Sequence, residues 1–168
     1  FSVAEGINTT VTSGTTFGVI ASGPAFLYAV EALELTGINA KVIKIGTPYP
    51  LPFPAIDEIL DECRVVIVIE EPEPVIEEQV IYRAWQRRLP VVIKGKLDNT
   101  IPREGELNVD RVLAGITSAA REAGIDIPPA QLVPAGLPAL TFSNELPVRP
   151  PVMCAGCPHR NSFYIFKS

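Results

Sequence analysis

The chain has 168 residues, of which 47% are hydrophobic and 20% charged, a composition typical of one globular domain with an extension. Its net charge of −5 and its lack of a basic block argue against nucleic acid and anionic membranes as partners. No apolar run approaches the roughly 20 residues of a membrane span. Its three cysteines, an odd number, argue against a secreted disulfide framework, so we expect a cytoplasmic protein.

Strand and helix patterns alternate four times between residues 17 and 126, with short connections. Apolar runs predict strands at 17–22, 41–45, 64–69 and 90–94. Apolar residues at helical spacing predict helices at 26–36, 56–63, 74–89 and 108–120. The run at 64–69 is apolar almost throughout, which favours a central parallel strand that is buried on both faces.

This alternation predicts an α/β fold with three layers, in which helices cover both faces of a mostly parallel sheet. Residues 1–16 are rich in Thr, Ser and Gly, and we expect one short strand there, at 9–12. Residues 127–151 are apolar but repeatedly interrupted by proline, which indicates an extended arm that lies on a surface.

Acidic residues follow the predicted strand at 64–69, where ligands of an open α/β sheet bind. Glu70, Glu71 and Glu73 could hold a divalent cation or act as general acid and base. We favour the simpler interpretation of a solvated strand end, with Glu73 stabilised by the dipole of the helix that follows.

Basic residues follow the strand at 90–94. Lys94, Lys96 and Arg103 could form an anion site, although an exposed loop is the favoured interpretation. The strand ends lack the glycine-rich loops that cradle phosphates, so we do not expect an independent nucleotide site.

Two of the three cysteines stand close together near the end of the sequence, as Cys154 and Cys157. Their spacing suits zinc or an iron–sulfur cluster, but such sites need about four ligands and His159 would supply only a third. A reduced pair without metal is the alternative. Pro158 separates Cys157 from His159, which excludes a c-type haem motif, and the remaining cysteine, Cys63, is predicted to be a core residue.

Three segments are specific enough together to suggest a family. They are Gly46-Thr-Pro-Tyr-Pro-Leu-Pro52, Pro102-Arg-Glu-Gly-Glu-Leu107 and Pro151-Val-Met-Cys-Ala-Gly-Cys-Pro-His-Arg160. In this order they resemble the alpha (large) subunit of archaeal and bacterial indolepyruvate:ferredoxin oxidoreductase. The resemblance covers nearly the whole chain and is weakest over residues 1–16.

The resemblance implies a domain similar to the C-terminal domain of transketolase. That domain has three α/β/α layers and a mixed five-stranded sheet, in which the first strand is antiparallel to the others. The segment 9–12 is the candidate for this strand, and 17–126 would form the main domain. After the arm at 127–151, residues 152–168 would begin the domain that binds thiamine diphosphate.

The resemblance also implies a parent reaction, the oxidative decarboxylation of indolepyruvate and related aryl 2-oxo acids. Its products are an aryl-acetyl-coenzyme A, CO2 and reduced ferredoxin, and its cofactors are thiamine diphosphate with Mg²⁺ and [4Fe-4S] clusters. The implied partners are the rest of the alpha subunit, the beta subunit and ferredoxin. Cys154 and Cys157 would supply two ligands of a [4Fe-4S] cluster, or His159 and Arg160 would face the thiamine diphosphate pocket.

The sequence lacks the Gly-Asp-Gly…Asn stretch that holds magnesium and diphosphate, and it lacks a ferredoxin-type cysteine run. We therefore expect a structural domain that binds no cofactor, contains no catalytic residue and is inactive alone. Two alternatives remain at this stage. One is the C-terminal domain of another thiamine enzyme, and the other is a free-standing metal-binding or interaction module built on Cys154, Cys157 and His159.

Overall fold

The computed structural model describes residues 7–10, 16–125, 127 and 164–166. The strands are β1 (Thr9–Thr10), β2 (Phe17–Ser22), β3 (Lys41–Ile45), β4 (Val65–Ile69) and β5 (Val92–Lys94). The helices are α1 (Ala25–Thr36), α2 (Phe53–Glu62), α3 (Val75–Arg87) and α4 (Val109–Glu122). The chain divides into two compact units, Phe1–Leu132 and Val133–Ser168, and the described part of the second is helical at 164–166.

The five strands form one sheet in the order β1-β3-β2-β4-β5. The pairings β2–β3, β2–β4 and β4–β5 are parallel, whereas β1 is antiparallel to β3. In that pair Thr9 lies opposite Lys44 and Thr10 lies opposite Ile43. The prediction of a mixed sheet with one antiparallel strand near residue 9 is thus confirmed.

Helices cover both faces of the sheet, so the predicted three layers are confirmed. Successive strand residues point to opposite faces, and β4 shows this clearly. Ile67 packs in a core with α1 and α4, while Val66 and Val68 pack in a second core with α2 and α3. All five residues of β4 are buried, as expected for a strand covered on both sides.

A side-chain cap begins the fourth helix. Asn108 has an extended backbone, and its side-chain oxygen accepts a hydrogen bond from the backbone N–H of Arg111 at 3.0 Å. Cys63 is buried at the end of α2, as predicted, and burial raises the pKa of its thiol to about 11.

Ion pairs join α2 to α3 on one face of the sheet. The guanidinium of Arg83 donates to both carboxylate oxygens of Asp57, at 2.8 and 2.6 Å, and this pairing lowers the pKa of Asp57. Arg87 donates to Asp61 at 2.8 Å. The charged side chains between these two helices therefore find their partners inside the domain.

No helix in the described parts of the chain is both long and apolar enough to cross a membrane.

Candidate functional site

Four glutamates lie where the chain leaves β4 and enters α3, at the carboxyl end of the sheet. We call Glu70, Glu71, Glu73 and Glu77 the carboxylate network. Three of them follow β4 directly, and Glu77 lies in the first turn of α3. In sheets of this kind, ligands usually bind at this end, so the partners of these side chains decide what the site can do.

Glu70 caps the helix that follows it. Its side chain is 3% exposed, and its two oxygens accept hydrogen bonds from the backbone N–H groups of Ile76 and Glu77, both at 2.8 Å. The residue at the usual capping position, Pro74, makes no side-chain cap, so Glu70 satisfies amides that the start of the helix would leave unpaired. Burial raises the pKa of Glu70, although these two hydrogen bonds oppose the shift.

Glu77 fixes the loop that follows β5. It is 1% exposed, and its carboxylate accepts hydrogen bonds from the backbone N–H of Lys96 at 2.7 Å and of Leu97 at 3.2 Å. A Cβ atom on Gly95 would lie 2.5 Å from the Glu77 carboxylate, so only glycine lets the backbone pass so close. Burial also raises the pKa of Glu77.

The other two members of the network reach further along the chain. Glu71 accepts a hydrogen bond from the backbone N–H of Leu107 at 2.7 Å, and Glu73 pairs with Arg103 at 2.7 Å in an exposed position. The interpretation of a solvated strand end is therefore correct for Glu73 and wrong for Glu70. Glu70 is buried because its side chain caps α3 in place of the residue at the usual capping position.

Divalent-cation binding by this network gains no support from the geometry. The carboxylates of Glu70, Glu71 and Glu77 accept hydrogen bonds from backbone amides, so these oxygens already have partners. Within the described residues, no group of three or more His, Cys, Asp or Glu side chains is placed to hold a metal ion.

The basic residues proposed as an anion site have separate partners. Lys94 pairs with Glu122 at 2.8 Å, Lys96 donates to the carbonyl oxygen of Pro102 at 3.1 Å, and Arg103 binds the exposed glutamate described above. The exposed-loop interpretation is wrong for Lys96, which is 2% exposed. These three side chains strengthen the loops and do not converge on a common point.

The residues predicted to bind cofactors, Cys154, Cys157, His159 and Arg160, lie outside the described residues, as does nearly all of the predicted arm at 127–151. Of that arm the structure describes Ile127, which packs against the core shared by α1 and α4.

The burial of Glu77 was not predicted from the sequence. The spacing offers a signal. Glu77 is three residues before Val80 and seven before Ala84, both of which are buried, so the helical repeat places it beside the inner face of α3. A glutamate at such a position needs internal donors.

Replacing Glu77 by alanine should destabilise the domain. The change leaves the buried amides of Lys96 and Leu97 without an acceptor, and we expect the free energy of unfolding to fall by about 2–3 kcal/mol. Urea denaturation of the chain measures this. The matched control is Glu78→Ala, one residue on in the same helix turn but exposed, which should change stability by less than about 0.5 kcal/mol. Equal losses in the two variants would contradict the role of Glu77.

The two buried glutamates should also make stability depend on pH. Their pKa values are higher in the folded chain than the ordinary 4.5, so the folded state binds protons more tightly than the unfolded state. The free energy of unfolding should therefore fall as pH rises from 4.5 through the folded pKa values. The lowered pKa values of Asp57 and Asp98 act only below their ordinary 3.8.

Urea midpoints measured between pH 4.5 and pH 8 test this pH dependence. Glu70→Gln should reduce the slope of stability against pH, whatever its effect on absolute stability, while the exposed control Glu78→Gln should keep the slope. A stability that rises steadily over this range would refute the assignment.

Comparison with known proteins identifies both the family of this chain and solved structures with a similar fold. The family model described as the indolepyruvate oxidoreductase domain matches residues 8–117, which contain the whole sheet and most of the helices. A solved structure described as a split gene transketolase, inactive beta4 tetramer, has a TM-score of 0.54 and 22% identity. The match covers 68% of this chain and 41% of the chain in that structure, and it shows a likeness of fold alone.

The most informative relatives are subunits of archaeal enzymes. The indolepyruvate oxidoreductase subunit IorA of Methanothermobacter thermautotrophicus is 36% identical over 156 residues, which cover 90% of this chain and 23% of the relative. The subunit of the same name from Thermococcus kodakarensis is 35% identical over 151 residues, covering 89% and 22%. The chain thus spans less than a quarter of the length of these curated relatives. By its match over most of the α/β unit, the chain belongs to the indolepyruvate oxidoreductase family.

Proposed function

We propose that this chain is a scaffold domain of an indolepyruvate oxidoreductase alpha subunit and has no catalytic activity alone. The observation that carries the proposal is the carboxylate network. At the end of the sheet where a ligand would bind, Glu70, Glu71 and Glu77 accept hydrogen bonds from the chain's own amides. The side chains there stabilise helix α3 and two loops, which is the role of a structural domain.

The parent enzyme would oxidatively decarboxylate indolepyruvate and related aryl 2-oxo acids, form the aryl-acetyl-coenzyme A and reduce ferredoxin. The relatives are each named as a subunit, which supports assembly with a second subunit. The proposed partners are the remainder of the alpha subunit, a beta subunit and ferredoxin, and the proposed location is the cytoplasm.

The cofactors of such an enzyme would be thiamine diphosphate with Mg²⁺ and iron–sulfur clusters, which supply the electron sink and the electron path. The described residues do not fit any of these cofactors, because the acidic and basic side chains at the carboxyl end of the sheet already have internal partners. Cys154 and Cys157 remain candidate cluster ligands, and His159 and Arg160 remain candidates for the thiamine diphosphate pocket.

The first test of this proposal measures cofactor binding and turnover together. Thiamine diphosphate with Mg²⁺ should not raise the melting temperature of the 168-residue chain, because a ligand stabilises a fold only by binding its native state. The chain should also fail to oxidise indolepyruvate with ferredoxin and coenzyme A. The complete alpha subunit, meaning the longer polypeptide proposed to contain this chain, is the positive control when assayed with its partner subunit.

Either of two results would overturn the scaffold proposal. One is a saturable rise of several degrees on addition of thiamine diphosphate, and the other is turnover by the chain alone. A complete subunit that fails to act on any aryl 2-oxo acid would instead refute the proposed parent activity.

A second test concerns the cysteine pair. In the complete subunit, Cys154→Ser together with Cys157→Ser should lower the iron bound per subunit, because thiolates hold such clusters and serine does so poorly. The matched control is Cys63→Ala, which removes a buried core thiol and should leave the iron content unchanged. Unchanged iron in the double variant would exclude these residues as cluster ligands.

A further inference from the structure

Helix α1 is apolar around most of its circumference, and its position in the domain explains only part of this pattern. Nine of its twelve residues, 25–36, are aliphatic or aromatic, and the exceptions are Glu31, Glu34 and Thr36. A surface helix normally carries one apolar stripe that faces the core, whereas a helix that is apolar all round is normally buried. In this structure one side of α1 is buried through Ala25, Ala29, Ala32 and Thr36, and Phe26, Tyr28 and Leu33 pack against the same core while partly buried.

The outer side of α1 exposes large apolar side chains beside an open cavity. Leu27 is 66% exposed and Leu35 is 48% exposed. The cavity has a volume of about 430 Å³ and lies between α1 and the segment that leads into β3. A second depression on the outer surface of α1 shares Val30 and Glu34 with this cavity, so the two adjoin. We call this surface the α1 groove, and its apolar members are Leu27, Val30, Leu33, Leu35, Ile38, Ala40 and Val42.

The groove does not have the chemistry of a small-molecule site. Such sites combine apolar walls with a few polar groups that converge on the ligand. Among the side chains that line this cavity, Glu34 and Asn39 are the polar ones, and both are exposed. A continuous apolar patch with a polar rim instead indicates a protein–protein contact.

The charges at the rim restrict the partner. Glu31 and Glu34 are exposed, and no ion pair within the described part of the chain involves either of them. By contrast, Asp57 and Asp61 of α2 are paired with arginines of α3. Two copies of the α1 groove placed against each other would bring acidic side chains together, which costs free energy. A segment with apolar side chains flanked by Lys or Arg is complementary to the groove.

We propose that the α1 groove is the docking surface for another segment of the complete alpha subunit, one that inserts apolar side chains into the cavity and pairs basic residues with Glu31 and Glu34. This proposal rests on the proposed function, because it requires the chain to work within a longer polypeptide. The length of the relatives supports it, since more than three quarters of each lies beyond the part matched by this chain.

Amide hydrogen exchange in the complete subunit tests the proposal. The amides of α1 should exchange at least roughly tenfold more slowly in the complete subunit than in the 168-residue chain, because docking suppresses local opening of the helix. The double variant Glu31→Lys, Glu34→Lys should lose most of this protection in the complete subunit. Both positions are exposed and the substitutions place cations in the C-terminal half of a helix, so the variant should fold.

The matched control is Glu104→Lys with Glu106→Lys, which makes the same change of charge at two exposed loop positions and should retain the protection. Equal exchange of α1 in the chain and in the complete subunit would overturn the proposal. So would protection of α1 in the 168-residue chain that grows with its concentration, because it would identify a second copy as the occupant. An active complete subunit with unprotected α1 would refute this inference and leave the proposed function intact.

Discussion

The buried carboxylate of Glu77 joins helix α3 to the loop that follows β5, and the structure at the carboxyl end of the sheet depends on this contact. An ionised carboxylate is costly to bury unless hydrogen bonds replace its lost water. Glu77 receives them from the amides that follow β5, and Gly95 provides the space for this approach. Since Glu77 lies in the first turn of α3, the same side chain fixes the distance between that helix and the loop after β5. Glu70 fixes the other end of this arrangement by capping α3 from the end of β4.

This arrangement determines what the domain can do. Open α/β sheets bind ligands at the carboxyl ends of their strands because loops there leave backbone amides and side chains pointing into a crevice. Here the amides of Ile76, Lys96 and Leu107 are bonded to glutamates of the same chain. Groups that could recognise a phosphate or a metal elsewhere instead stabilise the domain internally. The scaffold role that we propose rests on how these polar groups are paired, and it is argued separately from the likeness to known subunits.

The sequence predicted the framework well because periodicity and burial are local signals. The continuous apolar run predicts β4, the alternation of strand and helix predicts the α/β fold, and both are present. Burial of Glu70 and Lys96 could not be predicted in this way. Their partners are backbone groups six or seven residues further along the chain, and apolar periodicity carries no signal for such contacts. The role of Cys154 and Cys157 remains a prediction, since these residues lie outside the described part of the chain.

The two helical layers differ in a way that the fold itself does not require. Between α2 and α3 the charges are balanced by partners inside the domain, as in the pairing of Arg83 with Asp57. On the other side of the sheet, the small buried residues of α1 pack it against the core together with the partly buried Phe26, Tyr28 and Leu33. Leu27 and Leu35 point away from that core and add little to the stability of the domain alone, yet leaving them in water forgoes the gain from burying them. Their presence is explained if the surface of α1 is an internal surface of a larger assembly, in which another segment covers this helix.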